Sequence, residues 1–154
     1  MSAEVGARAP EFRLPTDSWE SEVSLAEKLG DGPLVLLFYP GDWSSVCTDQ
    51  LEVIEDNLPL FEERNANVVA ISVDSPWSHA AFAHSRELTI PLLSDFRREV
   101  AREYGVLREE GFAERAYFVI DRQGTIVARK VEKKPSDSPE VDEIISDLDR
   151  SLRD

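Results

Sequence analysis

The chain is 154 residues long, 42% of them hydrophobic, and carries a formal net charge of −14 at pH 7. That length and apolar fraction suit one compact domain, residues 1–154, with a core of its own. No run approaches the ~18 apolar residues of a membrane span, and the acidic excess repels nucleic acid and anionic membranes, so neither is expected as a partner.

Thirteen arginines and four lysines stand against 31 acidic residues. Such a balance fits either an ordinary acidic cytoplasmic protein or one tuned to high salt, where counterions screen self-repulsion. The opening MSAEVGARAP has no apolar signal region, which points to a cytoplasmic location. The single cysteine, Cys47, can close no disulfide within the chain and can build no multi-cysteine zinc site. A reducing compartment is the default for such a chain.

Residues 1–15 read as an extended lead-in, and Trp19–Val23 as a short strand. Ser24 is placed to cap a short helix through Leu29, stopped by Gly30 and Gly32. Leu34–Tyr39 is a continuous apolar run bounded by prolines, the pattern of a strand buried on both faces. Cys47, Leu51, Ile54, Leu58 and Phe61 then form one helical stripe, with Pro59 ending a first helix near Asn57 and a further turn beyond it. Val68–Val73 reads as a second buried strand, and Ser75–Glu87 as a helix with Pro76 at its first position. Pro91–Ser94 is a short strand, and Arg97–Tyr104 a helix ended by Gly105. Ala116–Ile120 and Thr125–Val131 form a hairpin through Asp121-Arg122-Gln123-Gly124. A polar loop, Pro135–Pro139, leads to a last helix from Val141 to Leu152. The order predicts an α/β chain with a central mixed β-sheet flanked by helices, the layout of the thioredoxin-like fold.

Cys47 therefore sits in the first turn of a helix, just past a buried strand. Unpaired N–H groups and the macrodipole at that position favour an anion. Helix N-termini and cationic neighbours lower a cysteine pKa from about 8.5 to roughly 3.5–7.5, and the thiolate is the nucleophile. Ser44 and Ser45 offer hydroxyls that can cap the helix or donate to an anion. The competing reading is a buried cysteine acting as a small hydrophobe, since Cys47 also lies on the apolar stripe.

Pro40-x-x-x-Ser44-x-x-Cys47 resembles the Pro-x-x-x-Thr/Ser-x-x-Cys motif of peroxiredoxins, and FYPGDWSSVCTDQL resembles the active-site segment of that family. VGARAPEFRLP, VVAISVDSPWSHAAFA, PLLSDFRREVAREYGV and RAYFVIDRQGTIVARK are similar to other family segments in the same order. PLLSDF and the lack of a second cysteine resemble the one-cysteine, alkyl hydroperoxide reductase E-like group. The resemblance implies that Cys47 is the peroxidatic nucleophile and that the Ser44 hydroxyl touches peroxide and sulfur. It implies that Pro40 shields the thiolate and that Arg115 holds both thiolate and departing oxygen.

A thiolate attacking a peroxide leaves negative charge on the second oxygen, and fixed donors stabilise that charge as it develops. The product on sulfur is a sulfenic acid. With no second cysteine, its reduction requires an external thiol, either a thioredoxin-like protein or a low-molecular-weight thiol. The substrate implied is a hydroperoxide, and the assembly implied is a homodimer or higher homo-oligomer. Two departures stand out. Gln50 occupies a place where many members have a glutamate that orients the arginine, and Ser44 lacks the methyl group of threonine. The alternative function is a redox-sensing or chaperone-like module using the same cysteine, and a third reading is an inactive interaction domain.

Other candidates carry less. His79 and His84 are five residues apart, about 140° around a helix, and cannot share a metal. Trp43 reads as a possible apolar wall near the thiol, and Trp77 with Phe82 as a possible subunit contact. Lys130–Lys134 reads as a solvated strand end. No phosphate loop, GxGxxG or metal-ligand cluster is present, so no cofactor or metal is expected.

Overall fold

A computed structural model describes residues 3–30, 32–134 and 140–152. The elements are β1 (Arg13–Pro15), β2 (Glu22–Ser24), α1 (Leu25–Lys28), β3 (Leu34–Phe38), α2 (Ser45–Asp56), α3 (Leu58–Glu62), β4 (Asn67–Ser72), α4 (Pro76–Arg86), β5 (Leu92–Ser94), α5 (Glu99–Glu103), β6 (Ala116–Ile120), β7 (Ile126–Val131) and α6 (Val141–Leu152). Five strands form one sheet in the order β5-β4-β3-β6-β7. β3, β4 and β5 run parallel, while β6 and β7 are antiparallel to their neighbours. β1 and β2 make a separate antiparallel pair.

The two-residue period of a strand divides the core. In β3, Leu34, Leu36 and Phe38 face a cluster with Phe12, Leu25, Val100, Tyr104 and Phe118. Val35 and Leu37 face the opposite cluster, together with Cys47, Leu51, Ile54, Phe82, Ile144 and Leu148. So α1 and α5 cover one face, and α2, α4 and α6 the other. Every residue of β3 and β6 is buried, as the unbroken apolar runs require. This is the mixed α/β sheet with helices on both faces that the element order predicts.

Several boundaries differ from the sequence-based expectation. Trp19 and Glu20 lie in a turn closed by Ser21 N–H donating to Ser18 O (3.2 Å), so the strand starts at Glu22. Arg97 and Arg98 precede α5; Arg98 has φ +65°, which delays the helix to Glu99. β7 starts at Ile126; Thr125 instead bridges to Arg8, and the hairpin contains a register irregularity at Val119/Ile120. Gly124 supplies φ +91° in that turn, and Gly32 passes so close to Asn65 that a Cβ would lie 2.1 Å from its carbonyl oxygen. The loop Pro135–Pro139 lies outside the described residues. Among the described residues no helix is long and apolar enough to cross a membrane.

Candidate active site

Register brings the site together. Ala116, the first residue of β6, pairs antiparallel with Phe38, the last residue of β3. Arg115 therefore enters the sheet where β3 leaves it. The chain leaving β3 runs through residues 40–44 into α2, whose third residue is Cys47. Ligand sites in open α/β sheets form at these carboxyl ends of parallel strands.

Cys47 and Arg115 are both buried, with 0% and 1% of their surface exposed. Arg115 Nη2 lies 2.8 Å from Cys47 Sγ, and Arg115 Nη1 donates to Gln50 Oε1. Gln50 follows Cys47 by three residues on α2, so both side chains share one side of the helix. Burial by itself suits the inert reading of Cys47. A guanidinium held against the sulfur does not, because arginine carries its charge at every accessible pH and a buried charge requires polar or anionic partners. Together with the first-turn N–H groups of α2, it surrounds the sulfur with donors.

Ser44 is the N-cap of α2, in extended conformation, and its side chain makes no capping hydrogen bond. The exposed Ser44 and the half-buried Pro40 lie on the connecting loop, shortly before Cys47 in sequence. Of the two roles expected for these hydroxyls, capping the helix or donating to an anion, Ser44 does not fill the first. The loop is held instead by a network that sequence reasoning missed. Asp42 accepts hydrogen bonds from Tyr39 OH (2.7 Å) and Ser78 Oγ (2.8 Å), and pairs with His79 Nδ1 at 2.8 Å. Its own N–H donates to Asp74 Oδ2 (2.8 Å), which also accepts from Ser72 Oγ (2.6 Å). Burial, with Asp42 close by, raises the Tyr39 pKa well above its ordinary value, so its hydroxyl keeps the proton that it donates.

The His79 ring has no nitrogen left over. Nε2 faces the Leu93 carbonyl at 3.0 Å, and a carbonyl only accepts, so this nitrogen carries a hydrogen. Asp42, Asp74 and His79 offer ligand atoms within 4.8 Å of one another, yet their atoms are engaged with one another and with hydroxyls. The only sequence hint was the spacing of Asp42 from the strand end and of His79 one turn past the Ser75 cap. One further expectation is corrected: Phe82 is fully buried and cannot form a subunit contact, and the Trp43 ring that packs edge-on against it (5.1 Å) is half exposed. Lys133 and Lys134 are exposed, as a solvated strand end requires, and Lys130 is in addition paired with Glu143 of α6 at 2.6 Å.

The AhpC/TSA family pattern matches residues 5–129. The chain belongs to that family. It is 39% identical over 125 residues to alkyl hydroperoxide reductase E of Mycobacterium tuberculosis, covering 79% of this chain and 81% of the relative. It is 36% identical over 135 residues to a chloroplastic 2-cysteine peroxiredoxin of Chattonella marina var. antiqua, covering 82% and 69%. Among solved structures, the reduced 2-Cys peroxiredoxin of Plasmodium vivax superposes with TM-score 0.89 at 28% identity, over 97% of this chain and 82% of that one. Peroxidoxin BcpB of Mycobacterium tuberculosis gives TM-score 0.86 at 30% identity, over 98% and 99%. The thioredoxin-like fold is therefore that of peroxiredoxins, and membership supports a thiol-dependent peroxidase.

Proposed function

We propose that this chain is a one-cysteine thiol-dependent hydroperoxide reductase, acting as a single catalytic domain in a reducing, cytoplasmic setting. The observation that carries the reading is the Arg115 guanidinium 2.8 Å from the buried Cys47 sulfur. Cys47 is the nucleophile. Its thiolate attacks one oxygen of hydrogen peroxide or an organic hydroperoxide, and the sulfur becomes a sulfenic acid. Arg115 holds the thiolate and then the departing oxygen, in the manner of fixed donors at a developing oxyanion. Ser44 offers its hydroxyl to the bound peroxide, and Pro40 screens the sulfur from water.

With Cys47 fully buried, entry of substrate requires movement of loop 40–44, which is half-exposed to exposed. The sequence holds no second cysteine, so an external thiol restores Cys47. The relatives named for alkyl hydroperoxide reduction support the substrate class.

The test is single-turnover oxidation by hydrogen peroxide, followed by reduction with a panel of thiols. Wild type should lose one free thiol per chain far faster than free cysteine does, and Cys47→Ser should lose none. A supplied thiol should then sustain repeated turnover; a single stoichiometric event would instead mark a redox sensor. Wild-type oxidation no faster than that of free cysteine would sink the enzyme reading.

A further inference from the structure

Gln50 is 6% exposed, and its Nε2 has no hydrogen-bond partner among the described residues. The amide orientation is settled by chemistry. Arg115 can only donate, so the Gln50 atom that receives Nη1 must be oxygen. Nε2, with its two N–H donors, is left over on the same amide, next to a guanidinium that touches the thiol. An unsatisfied buried donor destabilises the fold, because it has given up its hydrogen bonds to water without replacement. Such groups are rare in folded proteins and call for an explanation.

We propose that Gln50 is a further catalytic residue, whose Nε2–H group donates a hydrogen bond to an oxygen of the bound hydroperoxide. The inference rests on the peroxidase reading above. In that step a bond forms between the Cys47 thiolate sulfur and one peroxide oxygen, and the O–O bond breaks. Sulfur is oxidised by two electrons, and the other oxygen leaves with the bonding pair and takes up a proton, giving water or an alcohol. A neutral donor assists wherever that charge gathers, and it leaves Arg115 its full charge for sulfur. A carboxylate at position 50 could serve Arg115 as well, but could donate nothing.

Two reactions of Cys47 separate this role from mere support of Arg115. Oxidation by hydrogen peroxide has an oxygen to be held; alkylation by iodoacetamide needs the thiolate but has no peroxide oxygen. Gln50→Glu keeps an acceptor for Arg115 and removes the donor. The ratio of the oxidation to the alkylation rate constant should fall on the order of ten- to a hundredfold, the range for a hydrogen bond to a charged group. Gln50→Met, which removes donor and acceptor together, should lower the same ratio and slow alkylation besides. A ratio equal to wild type in the variants, or a parallel fall in both reactions, overturns the proposal while leaving the peroxidase reading intact. A wild-type thiol that peroxide does not oxidise overturns both.

Discussion

Cys47 and Arg115 are 68 residues apart in the chain and in hydrogen-bond contact in space. Three arginines near β6 compete for this role in the sequence. Arg108 is committed to Glu114 (2.6 Å) and Glu110 (3.1 Å), and Arg122 lies exposed in the hairpin turn, which leaves Arg115 as the one at the sulfur. Its two nitrogens serve Sγ and Gln50 Oε1 at once, which the planar fork of arginine allows and the point charge of lysine does not. We therefore expect Arg115→Met to slow peroxide oxidation of Cys47 by roughly a hundredfold, as for loss of one fixed oxyanion donor. Arg115→Lys should recover only part of that rate. Stopped-flow oxidation measures both, and an Arg115→Met rate equal to wild type would remove Arg115 from the mechanism. From the sequence alone, resemblance could single out Arg115; periodicity and spacing could not, because nothing local distinguishes one arginine ahead of a strand from the next.

Loop 40–44 depends on α4 as much as on the strand and helix that it joins. Ser78 and His79 of α4 and Tyr39 at the end of β3 converge on the Asp42 carboxylate. Trp43 adopts φ +69°, a conformation that a bulky residue holds only when its surroundings dictate it. Removing the carboxylate leaves Tyr39 OH, Ser78 Oγ and His79 Nδ1 without their shared partner. Asp42→Ala is expected to destabilise the protein by about 3–5 kcal/mol, the range for breaking a buried pair. A urea titration reads this as a lowered midpoint, and an unchanged midpoint would mean that the network does not hold the loop. The helix that flanks the loop was legible in its hydrophobic period and the strand in its unbroken apolar run. The network was not, because Asp42 and His79 lie 37 residues apart and each reads locally as an ordinary polar residue.

The three tyrosines couple the whole molecule to alkaline pH. Burial is the main cause that raises all of them: Tyr117 to about 12, and Tyr39 and Tyr104 above their ordinary value. The folded state thus keeps these protons after the unfolded chain releases them near pH 10. Their contribution to stability is fully present below about pH 10 and is lost as pH rises towards 12. Thermal melts should show a midpoint that falls through that window, less steeply in Tyr117→Phe, and a flat profile would refute the assignment. Any self-association would act at the same scale. Trp19 stacks edge-on with Trp77 and with Phe96, each at 5.7 Å, and all three are exposed. A contiguous aromatic patch on so acidic a surface suits burial against a second copy. Sedimentation should give a mass above the 17.4 kDa of one chain, and Trp77→Asp should return it to that value. A monomeric wild type would mean that the patch serves no self-association.

The sequence by itself determined what repeats locally. The unbroken apolar runs in Leu34–Phe38 and Ala116–Ile120 wrote the buried strands, the 4-3-4-3 spacing from Cys47 to Phe61 wrote the thiol helix, and Pro59 wrote its break. These features need only a residue and its near neighbours. The tertiary structure decided which distant groups meet: Arg115 at the sulfur, the Gln50 donor left unpaired, and the carboxylate of Asp42 ringed by hydroxyls and imidazole. The reason is strand register. Pairing of Phe38 with Ala116 carries Arg115 to the mouth of α2, and no local pattern encodes that match.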